Sequence, residues 1–589
     1  MRKKLQLHKL ACIALTVTMV GCTDLKEQVI DEVLGSNNSN PENALAAAYG
    51  QMGDATFVDH TNVFGLQEYS TDEALLPTRG SDWGDNGVYR AIHEFTWGPD
   101  NSLVTNTWNN LNAGITKSLT AISTINGKAD FTNKKLFLAE ARALLAFYTY
   151  HTLDLYGQAP YRDPYNANAQ VEVRKAATAI DDLIKEMETI LPDLANLKEQ
   201  STHNGRFTKQ AAYGLLADMY MNRAVFKDRY ATGGFNFKEA AVDNNGTDMD
   251  KVIYYTTQII NNSQFQLESN YFKNFDIDNN GRSELVFVVS QNINNLRGSD
   301  NDFAYMPMER NQKPSPNNRG TNAVCTTPQF YHTWDNNHAD PRFSRHYQYS
   351  DGTWFMNDGS DTSVPASSKV ANSGGLPWFH FNRGFQVGQQ YGPKLVNTTS
   401  FEMTAANRIK VIKLYCEKNT TLPVDFTPEL NFSDPAQSQF SQAEINRGVR
   451  VFKFEFDPEK DNSTSNVDIP LVRLGGMYCL RAEAYFRNGQ TDLALADINK
   501  LRTTRTREEL YNNAPGVALT ALTEQTLYNE IAFETYWEMQ RRKQAIRFGK
   551  FEAADPGSAK PESKPFRRIY PIPQSTMDAT KIYQQNDQY

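Results

Sequence analysis

Between residues 171 and 191 apolar side chains return at three- and four-residue steps, at Ile180, Leu183, Ile184, Met187, Ile190 and Leu191. That spacing gathers them on one face of a helix. Trp108 to Ile125 carries the same period through Leu111, Ile115, Leu119 and Ile122. Helices are also predicted over an Ala-rich stretch from Pro41 to Met52, over Leu136 to His151 with an end near Tyr156, over Thr208 to Ala224, and over Lys251 to Asn262. Pro41 suits a first helical turn, and Gly157 suits a C-terminal cap. Strands are fewer. Glu284 to Val289 reads as a buried strand, Val451 to Phe456 alternates, and Ile469 to Asn488 runs from strand into helix. Two further helices are predicted over Thr491 to Arg502 and Thr523 to Phe548, before an extended tail at Ile569 to Pro573.

The fold class is therefore mostly α, a succession of helical hairpins with few short strands. Such hairpins resemble tetratricopeptide packing, where neighbours bury a common face, although no strict repeat signature is present. Residues 54–99 and 290–400 have no sustained period. The second of these stretches is rich in Asn, Gly, Pro and aromatics. Long aperiodic segments in a folded domain are functional or disordered, and the aromatics favour order.

The N-terminus breaks the pattern. Arg2, Lys3, Lys4 and Lys9 precede a mostly apolar run of eleven residues, Leu10 to Val20. As a helix that run is about 16 Å long, short of the roughly 20 residues that span a bilayer. A basic head, a short apolar core and a small residue make a secretory signal peptide. Met19-Val20-Gly21-Cys22 resembles the bacterial lipobox, with Cys22 as the lipidated first residue of the mature chain. Multiple acyl chains give stable anchoring; an ordinary secretory peptide with an incidental cysteine is the other reading. The organisation is then 1–21 signal peptide, 22–39 lipidated tether, 40–283 N-terminal helical region, and 284–589 C-terminal region with variable loops at 290–448.

Removing residues 1–21, which hold four basic and no acidic side chains, takes the formal charge from -8 to -12. An acidic chain is poorly suited to neutralising phosphates, so nucleic acid is not an expected partner. Cys325, Cys416 and Cys479 show neither a disulfide framework nor a zinc spacing. One bridge among them is left open, with buried free thiols as the default.

No HExxH, GxSxG, P-loop or GxGxxG motif occurs. His332, His338, His346 and His380 lack a metal-binding frame. Acidic pairs for glycoside hydrolysis cannot be picked out of 68 carboxylates by spacing alone. No cofactor is expected. Asp276, Asp278 and Asn280, before Gly281, have the opening spacing of a calcium loop, but Phe287 stands where the closing Glu belongs. An Asn/Gly turn before a strand is the alternative.

Aromatics make up 12 % of the chain. They serve core packing, and they also serve as apolar platforms against sugar rings. Arg79, Asp82 and Trp83 lie on a polar, Gly-containing loop suited to clasping a neutral polar ligand, with a core-packing Trp as the competing reading. Trp334, Trp354 and Trp378, with Tyr305, Arg383 and Tyr391, are further candidate ligand contacts in the aromatic stretch. Arg481 and Glu483 are two apart on a helix, so they do not face each other, and scaffold pairing is expected of both.

Several stretches together resemble the SusD/RagB family of Bacteroidetes outer-membrane lipoproteins. They are the lipobox at Cys22; Glu140-Ala141-Arg142-Ala143-Leu144 through Leu155-Tyr156-Gly157-Gln158-Ala159-Pro160; Phe207-Thr208-Lys209 with Leu215-Leu216-Ala217; Ile469 to Leu474 leading into Leu480 to Tyr485; Leu501-Arg502; Asn529 to Arg542; and Tyr570-Pro571-Ile572-Pro573. One departure is Trp537-Glu538-Met539-Gln540-Arg541-Arg542, where the family often has Trp-Asp-Leu-Arg. The resemblance implies non-enzymatic capture of oligosaccharides at the cell surface and delivery to a SusC-like TonB-dependent transporter. It implies an outer-membrane location facing outward, which Asp24 and Glu27 support as acidic residues behind the anchor. It also implies ligand contacts from the loop bearing Arg79, Asp82 and Trp83. Capture of peptide or another nutrient is the alternative, with a surface glycoside hydrolase further off.

Overall fold

A computed structural model describes residues 40–589 except 81, 167, 200–204, 292–300, 367–376, 431–444, 458–464, 508, 509 and 511. Cys22, Asp24, Glu27 and the segments 1–21 and 22–39 lie outside the described residues.

Helices dominate the first half: α1 (Pro41–Gln51), α2 (Val63–Glu68), α3 (Val88–His93), α4 (Ser102–Gly127), α5 (Lys134–Tyr156), α6 (Ala176–Ile190), α7 (Lys209–Lys227) and α8 (Asp248–Ile260). Their ends follow local chemistry. Asn40 caps α1 by accepting from Glu42 N at 2.9 Å, and Thr208 caps α7 through Ala211 N at 3.2 Å. Such a cap contributes about 1 kcal/mol. Gly157 closes α5 with φ 67°, a left-handed conformation that suits glycine, and its N–H returns to Leu153 O.

The helices pack in sequence, α1 on α4, α4 on α5, α6 on α7 and α7 on α8. Hairpin-like packing is thus established; a tetratricopeptide repeat is not. The contact between α4 and α5 is very close, since a Cβ on Gly114 would sit 2.4 Å from the Tyr148 ring.

After the short helix α9 (Pro328–His332), the C-terminal part contributes α10 (Leu474–Arg487), α11 (Thr491–Thr504), α12 (Glu524–Thr535) and α13 (Arg541–Arg547). α10 packs on α8, so the late helices extend the early series. A two-stranded antiparallel sheet pairs Leu285–Val289 with Ile469–Arg473. Beside it lies a buried charge network. Glu534 and Glu284 accept hydrogen bonds from Arg473 and Arg505, and Arg342 reaches Glu530 and Asp340. Each buried charge there has an opposite partner, which is the condition for tolerating it.

Three expectations change. The single helix over Thr523 to Phe548 is broken at Tyr536 to Gln540, where Trp537 and Met539 take φ values of 56° and 60°. Buried carboxylates replace the helical acceptors there: Trp537 N donates to Glu73 and Gln540 N to Glu68. The aperiodic stretch 54–99 contains α2 and α3 and buries Phe57, Val63, Phe64, Leu66 and Tyr69. It is core whose order comes from long-range packing. The strand expected at Val451 to Phe456 is confined to Arg450–Phe452, and Lys453 interrupts the alternation. Lys453 is buried because its ammonium bonds Glu538 and the Tyr536 carbonyl.

The calcium-loop reading of Asp276, Asp278 and Asn280 is overturned by geometry. Their side chains are engaged separately: Asp276 by Arg383 and Lys273, Asp278 by Arg282, and Asn280 by Asp468. Among the described residues no group of three or more His, Cys, Asp or Glu side chains is arranged to hold a metal ion. Cys325, Cys416 and Cys479 are free and buried.

Candidate functional site

The loop that follows Pro77 is drawn into an isolated antiparallel bridge, Arg79 N to Asp82 O and Asp82 N to Arg79 O, both 2.9 Å. Its backbone is strained. Positive φ occurs at Gly80, Trp83, Asp85, Asn86 and Gly87, with 59° at Trp83. Left-handed backbone at a bulky non-glycine residue costs roughly 1–3 kcal/mol and persists where surroundings impose it. Those surroundings are identifiable. Arg79 is fully buried and donates to Ala323 O at 3.2 Å, Arg447 O at 2.7 Å and Cys325 Sγ at 3.0 Å. Burial lowers its pKa, and the sulfur and nearby acids offset this only in part. Arg79 is thus a staple between the loop and the chain behind it, not a side chain presented to a ligand.

Asp82 accepts both hydrogen bonds of the Arg310 fork, each 3.1 Å, and pairs with Lys418. Burial pushes its carboxyl up, but hydrogen bonds from Arg310 and Lys418 outweigh burial and hold it below the usual range. Lys418 lies on an antiparallel hairpin formed by Tyr415–Cys416 and Asn419–Pro423. The hairpin is also tied down by Asn311 Nδ2 donating to Tyr415 O at 2.8 Å and by Glu417 N donating to Glu309 at 3.1 Å. Tyr415 and Lys418 are exposed.

Trp83 is half-buried. Its Nε1–H donates to Thr321 O at 2.9 Å. His60 and Tyr89 meet the indole edgewise, with centroids 5.3 and 5.9 Å away and interplanar angles of 84° and 71°. The polar handle of the indole is therefore spent inside the protein, and what it offers outward is apolar surface. Beneath it His60 pairs with Asp302. Burial alone would lower the His60 pKa, but Asp302 and then Asp59 outweigh it and raise it above the ordinary value. Burial together with Asp302 raises the Asp59 carboxyl. The indole is thus backed by a hydrogen-bonded His–Asp pair, and the residue before it, Asp82, draws in Arg310 and Lys418 from other segments.

The other expected contacts are placed elsewhere. Tyr305 is fully buried under this site, its carbonyl accepting from Thr321 N and its hydroxyl from Asn318. Trp334 is buried against Phe533, with ring centroids 3.8 Å apart. Trp378 is buried too, and Arg383 spends its guanidinium on Asp276 and three backbone carbonyls. None of these four presents a free face in this conformation, because the aromatic stretch supplies the core of the irregular part. Trp354 and Tyr391 are half-buried: Trp354 bridges Gln348, while Tyr391 N donates to Asn357 Oδ1 at 2.8 Å. No contact joins either to Trp83. The structure thus brings Asp82 and Trp83 together, with Arg79 and Tyr305 behind them. It adds His60, Tyr89, Arg310 and Lys418, which sequence reasoning missed. Only the aperiodic stretch 54–99 hinted at His60 and Tyr89. Nothing local marks Lys418, which reaches the loop across 336 positions.

Comparisons with known proteins agree with one another. A family model described as "SusD family" matches residues 283–589, and one described as "Starch-binding associating with outer membrane" matches residues 28–221. The chain is similar to "Starch-binding protein SusD" of Bacteroides thetaiotaomicron, 23% identical over 551 residues, 90% of this chain and 86% of that protein. It is also similar to "SusD-like protein P2" of Formosa agariphila, 28% identical over 232 residues, 37% of this chain and 44% of that protein. Among solved structures it resembles surface glycan-binding protein A from Bacteroides uniformis, with a TM-score of 0.62, 16% identity, and coverage of 93% of this chain and 98% of that one. A laminarin binding SusD-like protein gives a TM-score of 0.61 at 14% identity, covering 93% and 99%. At such identities the structural likeness establishes the fold.

Proposed function

The chain belongs to the SusD family, and from that premise we propose that it captures oligosaccharides at the outer membrane, without chemistry, and passes them to a SusC-like TonB-dependent transporter. The observation that carries the reading is the presentation of Trp83. A strained loop, stapled inward by Arg79, holds a half-exposed indole whose N–H is already satisfied, next in sequence to Asp82 and the Arg310 and Lys418 that pair with it. The apolar face of a pyranose ring stacks on such a surface while hydroxyls bond charged neighbours. That pairing suits a neutral polyhydroxylated ligand. Relatives named for starch, laminarin and surface glycans support the class of ligand.

No helix among the described residues is long and apolar enough to cross a membrane. Attachment is assigned to acyl chains on Cys22. Radioactive palmitate should label the wild type and not Cys22→Ala; equal labelling would exclude this anchor. For the binding role, isothermal calorimetry with a panel of oligosaccharides is the direct test. Trp83→Ala should lower affinity for the cognate glycan at least about tenfold, equal to ~1.4 kcal/mol, with an unchanged melting curve. Equal affinities would remove Trp83 as the platform. Transporter pairing is read from co-purification: the wild-type chain should bring down a TonB-dependent barrel from solubilised outer membranes.

A further inference from the structure

A second, separate pocket of about 90 Å³ opens in the irregular part, between Lys273, Arg345, Tyr347, His380, Arg383 and Glu455. It shares no lining residue with the Trp83 site. Its floor is set: Arg383 is consumed by Asp276 and by backbone carbonyls, and Glu455 accepts from Ile277 N at 2.9 Å. Its wall is a ring pair, Tyr347 stacked on His380 with centroids 3.9 Å apart and planes 5° apart. Burial lowers the His380 pKa to about 3, so that wall is neutral at physiological pH.

The cations are in excess. Among the described residues lining the pocket, Lys273, Arg345 and Arg383 face two carboxylates, Asp276 and Glu455. Burial, and then Asp276, raises the Glu455 carboxyl, which weakens the negative side further. Arg345 is the under-used member. Among the described residues its nearest acid is Asp276 at 4.0 Å, beyond hydrogen-bond reach, and its Nε is buried with no hydrogen-bond partner. A buried guanidinium N–H without an acceptor is costly, and a planar fork of this kind matches a carboxylate or sulfate. Lys273 lies 3.1 Å from Asp276 and is a third exposed, so it can turn toward a second oxygen.

We propose that this pocket binds the anionic substituent of an acidic sugar, a carboxylate or a sulfate, between Arg345 and Lys273, with the sugar ring edge against the Tyr347–His380 wall. The volume fits one charged group and the carbons next to it; at ~30 Å³ per water it equals about three waters. It does not fit a chain of sugars. The choice of a sugar as carrier rests on the glycan-capture reading, whereas the anion site rests on the pocket alone.

Calorimetry on the mature chain with methyl glucuronide, glucose 6-sulfate, methyl glucoside and inorganic sulfate tests this. An acidic sugar should bind with a Kd near 1 mM or tighter (about -4 kcal/mol) while methyl glucoside does not. Arg345→Met and Lys273→Met should each weaken it, by about tenfold and threefold. Lys564→Met, an exposed lysine outside both sites, controls for lost charge. Circular dichroism melts check folding, and Lys273→Met carries the test if Arg345→Met does not fold. The proposal is overturned if no anionic ligand binds, if methyl glucoside binds equally, or if both variants retain wild-type affinity. Binding of inorganic sulfate alone would overturn the sugar assignment. If acidic sugars bind through Arg345 while Trp83→Ala leaves neutral oligosaccharide binding unchanged, the capture site is wrong and this pocket stands.

Discussion

Replacing Glu483 with Gln should destabilise the protein by about 3 kcal/mol at neutral pH, and by less in acid. Glu483 lies on α10 and is buried. Its Oε1 accepts from Arg487 Nε and Nη2 at 2.9 and 2.7 Å and from Arg547 Nε at 2.8 Å; its Oε2 accepts from Arg547 Nη2 at 2.7 Å. Burial pushes the carboxyl up, but Arg547 and then Arg487 outweigh burial and bring it from 4.5 to about 2. A fall of about 2.5 units at ~1.4 kcal/mol each gives roughly 3 kcal/mol. The known cost of removing one partner of a buried ion pair, about 3–5 kcal/mol, agrees. The sign follows from the direction: a folded pKa below the unfolded one stabilises above pH 4.5, and the contribution is lost as pH falls toward 2. At pH 3.5 the gap between wild type and variant should have shrunk to about 2 kcal/mol. Urea unfolding followed by tryptophan fluorescence at pH 7.5 and 3.5 reads both values. A gap under about 1 kcal/mol at pH 7.5, or one that does not shrink in acid, would refute the reasoning.

Gly114→Ala should cost about 1–3 kcal/mol through overpacking, because its new Cβ meets the Tyr148 ring at 2.4 Å; a melting temperature within one degree of wild type would contradict the close helix contact. Asp468 is buried, and burial raises its carboxyl to about 7 against hydrogen bonds from Gln291 N and Asn280. The raised folded pKa means stability is full below the ordinary 3.8 and lost as pH rises toward 7. Asp468→Asn should therefore gain on the wild type by up to about 1.4 kcal/mol per pH unit across that window, and parallel stability curves would refute it.

The helical scaffold is written in local periodicity. The period through Ile180, Ile184 and Met187 names one face of α6, and the structure buries those three residues. The α5 cap at Gly157 is also local, since only the backbone of one residue has to turn. Scaffold pairing of Arg481 and Glu483 followed from helix geometry; Arg481 bonds Asp497 on α11, and Glu483 bonds Arg547 on α13. Which aromatic and charged groups face inward depends instead on long-range packing. Trp334 and Trp378 sit in aperiodic, polar-looking sequence, yet both are buried, Trp334 against Phe533, Phe343 and Phe385 and Trp378 near His380. Trp83 sits in similar sequence and stays half-exposed. Nothing within a few residues separates these cases, because burial in an irregular segment is set by chains hundreds of positions away. Lys418 coming to Asp82 and the Arg345 Nε left without an acceptor among the described residues are outcomes of the same kind: hydrogen-bond satisfaction is a property of the closed fold, whereas periodicity is a property of the chain.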